Sequence, residues 1–204
     1  MSTINTTNLK NPSSGSNNVV LNADGSATIA TLSGTTITGT SVRGGITSGT
    51  AVASTSGTSV TSIDFTGIPS WVKRVTVMFD GVSTSGTSSV LVQLGAGSVI
   101  STGYASSTSV NATGTATVNS TTGFIQTYLG NDTAAATRCG TVTVTLLSSN
   151  KWTASGVVGL SNVATTTMIG GSIALSGTLD RVRITTVNGT DTFDAGSINI
   201  LYEG

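Results

Sequence analysis

The sequence predicts an all-β protein in which an extended N-terminal arm precedes an antiparallel β-sandwich of the jelly-roll-like type. From about residue 60 onward, short runs of Val, Ile, Thr and aromatic residues alternate with stretches of Gly, Ser, Asn or Asp. About eight such runs at this spacing are typical of sandwiches and jelly rolls. The chain has only two prolines, and no part of it shows the apolar period of an amphipathic helix.

Residues 1–58 are predicted to form the extended attachment arm. Asn, Ser and Thr dominate its start, and their short side chains favour turns over helix by bonding to nearby backbone. Val19, Val20 and Leu21 form the apolar run of this start, and they are the predicted contacts with a larger assembly. At residues 30–50, apolar residues and glycines recur every five positions. This pattern predicts either a narrow β-coil shared with neighbouring chains or a flexible linker.

Residues 59–204 are predicted to form the sandwich. In its first strong run, Val75, Val77 and Phe79 fall on one face, because successive residues of a strand point to opposite sides. The polar stretches between runs predict outward loops at 83–89, 102–117 and 162–167. The predicted strands are Val72–Phe79, Val90–Leu94, Gly123–Leu129, Gly140–Leu147, Trp152–Val158, Met168–Leu175, Asp180–Val187 and Ser197–Tyr202.

Two arginines are candidate contacts for an acidic sugar. Arg181 and Arg183 alternate with apolar residues, so both project from the outer face of their strand. Adjacent guanidinium groups can bind a carboxylate through planar bidentate hydrogen bonds. The favoured alternative is a solvated face on which the arginines pair with Asp180 or Asp64.

Both tryptophans are candidate contacts for a glycan or a partner protein. Trp71 follows a proline turn and Trp152 follows a lysine, and either indole could stack on a sugar. Large aromatic side chains usually dominate burial, however. Packing in the core or at an interface is therefore the favoured role for both.

The sequence offers few groups for catalysis. It contains no histidine, one cysteine and eight acidic residues, so the usual proton-transfer, thiolate-metal and nucleophilic groups are scarce. Cys139 is expected to be a small buried hydrophobe. Asp191 and Asp194 could bind calcium, but a turn with solvated carboxylates is favoured because the other oxygens of a calcium loop are missing. We expect no catalytic residue, metal or cofactor, although counting alone leaves a glycosidase-type carboxylate pair open.

Charge and hydropathy limit the partners. Eight basic residues balance eight acidic ones, and no basic cluster exceeds Lys73–Arg74, so nucleic acid is not an expected partner.

The start lacks the apolar run of a signal peptide, and no run reaches the ~18 apolar residues of a membrane span. We expect synthesis in the cytoplasm and no membrane insertion. Only 8% of the residues are charged, so copies of the chain or other proteins are expected to cover much of the surface.

Two stretches carry a resemblance to a known class of proteins. They are Ile-Asp-Phe-Thr-Gly-Ile-Pro-Ser-Trp-Val-Lys-Arg-Val-Thr-Val-Met-Phe at 63–79 and Asp-Arg-Val-Arg-Ile-Thr-Thr-Val-Asn-Gly-Thr-Asp-Thr-Phe-Asp-Ala-Gly-Ser-Ile-Asn-Ile-Leu-Tyr at 180–202. Together with the region between them they resemble a β-module of tail fibres and other virion structural proteins of tailed bacteriophages. The similarity is to a whole module and carries no catalytic residues across.

The resemblance implies a homotrimer located in a phage virion. The leading hypothesis is a tail fibre or tail-tip protein whose arm binds baseplate or tail proteins and whose β-domain faces host surface polysaccharide. The alternative is a capsid decoration or cement protein that stabilises the phage head. A polysaccharide-cutting tailspike is the least favoured, since it needs a long groove and a carboxylate pair.

Overall fold

The computed structural model describes residues 60–126, 133, 134 and 136–204, together with residues 13 and 23 and five short strands nearer the N-terminus. The chain divides into two units, residues 1–43 and 44–204. In the part of the chain that the structure describes, there is no helix.

The first unit contains one antiparallel sheet of three short strands, β1 (Asn8–Leu9), β2 (Val19–Leu21) and β3 (Ala27–Ile29). Strand β2 is central and pairs with both neighbours. The apolar run predicted to contact a larger assembly is thus the middle strand of this sheet. Most of the five-residue pattern at 30–50 lies outside the described residues.

The second unit contains two antiparallel sheets. The large sheet has the order β11-β10-β15-β14-β13-β7-β17-β4, with β5 also paired to β17, and the small sheet has the order β12-β8-β16-β6, with β9 paired to β8. The strands are β4 (Thr47–Ser48), β5 (Val52–Ala53), β6 (Ser62–Thr66), β7 (Arg74–Thr84), β8 (Val90–Ala96), β9 (Ser98–Val99), β10 (Ala105–Asn111), β11 (Thr115–Ser120), β12 (Phe124–Ile125), β13 (Arg138–Ser148), β14 (Lys151–Leu160), β15 (Thr165–Ala174), β16 (Arg181–Thr186) and β17 (Phe193–Glu203).

The two sheets bury their facing sides in one common hydrophobic core, which confirms the predicted sandwich. The large sheet contributes Val77 and Val144, and the small sheet contributes Val92 and Ile184, all fully buried. Alternate residues point inward, as the period of a strand requires. Burying each such side chain contributes about 1.5–3 kcal/mol, so the core accounts for why these strands stay paired.

The connectivity alternates between the sheets. Strands β13, β14 and β15 form an up-and-down meander within the large sheet, whereas the chain passes from one sheet to the other between β5 and β6, β6 and β7, β7 and β8, β9 and β10, β11 and β12, β12 and β13, β15 and β16, and β16 and β17. The sequence placed the start of this unit at residue 59. In the structure, β4 and β5 already pair with β17.

The predicted strands are present, and one predicted loop is wrong. In the predicted strand at 123–129, residues 123–126 are described and contain β12, and residues 127–132 lie outside the described residues. The predicted loop at 102–117 instead contains β10 and the start of β11, which pair as a hairpin at the edge of the large sheet. The loops predicted at 83–89 and 162–167 are shorter, because β7 extends to Thr84 and β15 begins at Thr165.

The hairpin was missed because its inward residues are polar. Ser106 and Thr108 are buried on β10, yet neither is apolar, so the sequence shows no hydrophobic alternation there. Their hydroxyls instead bond the backbone of the small sheet: Thr108 donates to the Ile125 carbonyl, and Ser106 accepts the Ile125 N–H at 3.3 Å. Hydrogen bonds between β10 and β12 thus join the two sheets at this edge.

Candidate functional site

The outer side of the large sheet carries mostly hydroxyl and apolar groups. We call it the Thr/Ser face, and it comprises the outward residues of strands β7, β10, β11, β13, β14, β15 and β17. Across strands β10, β11, β13, β14 and β15 the only charged residues are Arg138, which is buried, and Lys151 at the start of β14. A surface of this size with so few charges is unusual for an exposed sheet.

A row of apolar side chains crosses the Thr/Ser face. The register places Met78 opposite Thr141, Thr141 opposite Val157, and Val157 opposite Met168. Val157 is 53% exposed and Met168 is 49% exposed. Leu147, at the end of β13, is 62% exposed. The most exposed apolar side chains of the described residues therefore lie largely on one sheet.

Strict alternation in β13 builds the centre of the face. In the stretch Thr-Val-Thr-Val-Thr at 141–145, Val142 and Val144 are fully buried, while the threonines turn outward. The Thr143 hydroxyl lies 3.3 Å from that of Thr76 on the neighbouring strand. Cross-strand hydroxyl pairs of this kind stabilise a sheet modestly and place no charge at the centre of the face.

The outer side of the small sheet, by contrast, carries the two candidate arginines. Arg183 donates two hydrogen bonds to the Asp64 carboxylate at 2.6 and 2.7 Å, and Arg181 donates two to Asp180 at 2.8 and 3.1 Å. The hydrogen bonds from Arg181 lower the pKa of the Asp180 carboxyl. Both arginines therefore pair with aspartates, as the favoured alternative predicted. An acidic sugar would have to displace these carboxylates.

The two tryptophans have opposite environments. Trp152 is 2% exposed and belongs to the core, so its indole presents no surface to a sugar. Trp71 is 47% exposed and packs against Tyr202, with ring centroids 5.8 Å apart at 56°. Of the two, Trp71 is the one placed to contact a glycan or a partner.

The acidic residues are held within structural hydrogen bonds. Asp191 accepts the Ser88 N–H and a hydrogen bond from Asn188, and Asp194 accepts one from the Ser83 hydroxyl. The two aspartates thus bond to different partners instead of facing a common point. Among the residues that the structure describes, no group of three or more metal-ligating side chains comes together.

Cys139 is partly exposed, which corrects the expectation of a buried hydrophobe. Its sulfur accepts the Gly81 N–H at 3.2 Å at the bulge where β13 meets β7. The thiol also lines an open groove of about 670 Å³ beside the β14–β15 turn. Cys139 lies on the outward side of β13 because it is an odd position of the strand, whereas Arg138 and Val142 at even positions are buried.

The sequence indicated the arginines and the tryptophans but not the Thr/Ser face. That face depends on strands β10, β11 and β15 lying beside β13 and β14, and sequence patterns do not reveal strand order. The signal that was available is the alternation itself, since residues between buried valines must point outward.

Within the described residues, no helix has the length and apolar character needed to cross a membrane. No known protein family, curated protein or solved structure matches the chain significantly.

Proposed function

We infer that the chain is a non-enzymatic structural protein of a bacteriophage particle, a tail fibre or tail-tip component that assembles as a homotrimer. Its N-terminal part attaches to other virion proteins, and its β-sandwich is exposed to the host surface and its polysaccharides. The observation that carries this inference is the Thr/Ser face. The resemblance of residues 63–79 and 180–202 to phage virion modules supports the setting.

The size of the Thr/Ser face suits a contact between subunits. The face contains seven neighbouring strands, in the order β11-β10-β15-β14-β13-β7-β17, which together span about 29 Å at ordinary strand spacing. An eight-residue strand is about 27 Å long, so the area of the face is roughly 800 Å². A stable interface buries about 800 Å² on each partner. Depletion of charge at the centre and exposed apolar side chains such as Val157 and Met168 are typical of such interfaces.

The acidic residues support a non-enzymatic role. Glycoside hydrolysis needs two carboxyl groups facing a substrate across about 5–10 Å. Five of the eight acids instead accept hydrogen bonds from neighbouring side chains: Asp64, Asp180, Asp191, Asp194 and Glu203. Carboxylates held in this way serve the fold.

Charge on the Thr/Ser face tests the proposal. In Val157→Lys/Met168→Glu the new charges lie opposite each other, so they can pair across the strands of one chain without disturbing the sheet. We expect the wild-type chain to sediment as a trimer and this variant as a monomer. Thr66→Glu, at an exposed position of the small sheet, is the matched control and should remain trimeric. A monomeric wild type, or a trimeric double variant, would refute this use of the face.

The position of the chain in intact particles tests the setting. Electron microscopy should show density at the tail or baseplate in small multiples of three copies. Density spread over the capsid lattice, in hundreds of copies, would instead assign the chain to capsid decoration, with the N-terminal part acting as a clamp across capsid subunits.

A further inference from the structure

The connection between β16 and β17 contains an Asn–Gly pair, Asn188–Gly189, and the sequence has no other. Both residues are exposed, and Gly189 has a φ of +67°. The absence of a side chain on glycine leaves its backbone nitrogen open to the neighbouring asparagine. This connection also carries the chain from the small sheet to the large one.

We propose that Asn188 is a site of spontaneous deamidation that the folded loop accelerates. The Gly189 backbone nitrogen attacks Cγ of Asn188 and forms a five-membered succinimide ring. The bond from Cγ to Nδ2 breaks, and the proton of the Gly189 N–H passes through solvent to the departing nitrogen, which leaves as ammonia. Water then opens the ring at either carbonyl and gives aspartate or isoaspartate.

The surroundings of Asn188 Oδ1 supply the activation. This oxygen accepts hydrogen bonds from the Thr186 hydroxyl at 2.9 Å, the Thr190 N–H at 3.0 Å and the Asp191 N–H at 3.1 Å. Attack on Cγ places negative charge on the same oxygen. Three donors already directed at this oxygen stabilise the tetrahedral intermediate once the nitrogen has reached Cγ, as in an oxyanion hole.

Two further contacts set how the reaction begins and ends. The Gly189 N–H donates to the Thr186 carbonyl at 3.1 Å, so this bond must open before the nitrogen can attack. The departing Nδ2 donates to Asp191 Oδ1 at 2.7 Å, which holds the amide group in one orientation. Since the loop is exposed, water reaches the ring for the hydrolysis step.

The product would alter the surface around the connection. A new carboxylate at position 188 would replace a donor that lies 2.7 Å from Asp191, and like charges at that distance repel. Asp191 also accepts the Ser88 N–H at 2.9 Å. The repulsion should therefore loosen the β7–β8 loop and change an open groove of about 480 Å³ that Thr87, Ser88 and Asn188 help to line.

The test compares the full chain folded in buffer with the same chain in urea at the same pH and temperature. Peptide mapping by mass spectrometry, with an isoaspartate-specific methyltransferase assay, measures conversion at Asn188 over time. Asn119, which precedes a serine within strand β11, is the internal control and should keep its amide in the folded chain. We expect several-fold faster conversion of Asn188 in the folded chain than in the denatured one.

The variant Thr186→Val removes one donor to Oδ1 with little change in volume. We expect it to slow conversion in the folded chain by about fivefold to tenfold, the worth of one hydrogen bond, and to leave the rate in urea unchanged. Equal or slower conversion in the folded wild-type chain, or no conversion at all, would overturn the proposal. An unchanged folded rate in Thr186→Val would remove the role assigned to the oxygen's donors.

Discussion

Replacing a buried glutamine should stabilise this protein. Gln126 has no exposed surface, and within the described part of the chain neither its amide nitrogen nor its amide oxygen has a hydrogen-bond partner. An amide buried without partners costs about 1–3 kcal/mol. Methionine has a similar length and no strong polar group. We therefore expect Gln126→Met to raise the free energy of unfolding by about 1–3 kcal/mol, and the melting temperature by about 2–4 °C per kcal/mol for a domain of this size.

Gln93 provides the matched control. It is also buried, at 6% exposure, but its side-chain nitrogen donates to the Thr122 carbonyl at 2.7 Å. Gln93→Met loses that hydrogen bond and should lower the free energy of unfolding by up to about 1 kcal/mol. Equilibrium urea unfolding measures both variants. If Gln126→Met destabilised the protein as much as Gln93→Met, the reasoning from unpartnered amide groups would be refuted.

Three further outcomes follow from the hydrogen bonds. Tyr104→Phe should destabilise the fold by about 1–3 kcal/mol in urea unfolding, because the Tyr104 hydroxyl accepts the buried Leu94 N–H at 2.7 Å. Burial raises the pKa of Tyr104 to about 12. The stability that the neutral hydroxyl contributes should therefore be complete below the ordinary tyrosine pKa and be lost as pH rises towards 12. This pH dependence should be absent in Tyr104→Phe. Because Arg181 lowers the pKa of Asp180, stability should fall as pH decreases from roughly 5 to 3, less steeply in Asp180→Asn.

The sandwich could be predicted from the sequence because most of its strands carry apolar alternation. Strand β13 is the clearest example, since its valines fall at every second position and are buried. The β10–β11 hairpin could not be predicted. Its inward positions are Ser106, Thr108 and Val110, and the first two become compatible with burial only through hydrogen bonds to β12.

The candidate contacts likewise have features that could be predicted from the sequence and features that could not. The outward direction of Arg181 and Arg183 follows from alternation alone, whereas their pairing with Asp180 and Asp64 depends on neighbours in sequence and in space. Burial of Trp152 agrees with the usual behaviour of large aromatic residues. The homotrimer, the attachment arm and the virion setting stay predictions.

The sequence by itself determined the class of this protein: composition and the two-residue period of its strands exclude helical packing and require two buried faces. The tertiary structure alone decided which outward residues share a surface. Met78, Val157 and Met168 are far apart in the chain and become one row only because β7, β13, β14 and β15 lie side by side in that order. The physical reason is that alternation is a local property of each strand. Strand order and register depend instead on how all the strands together fill the core.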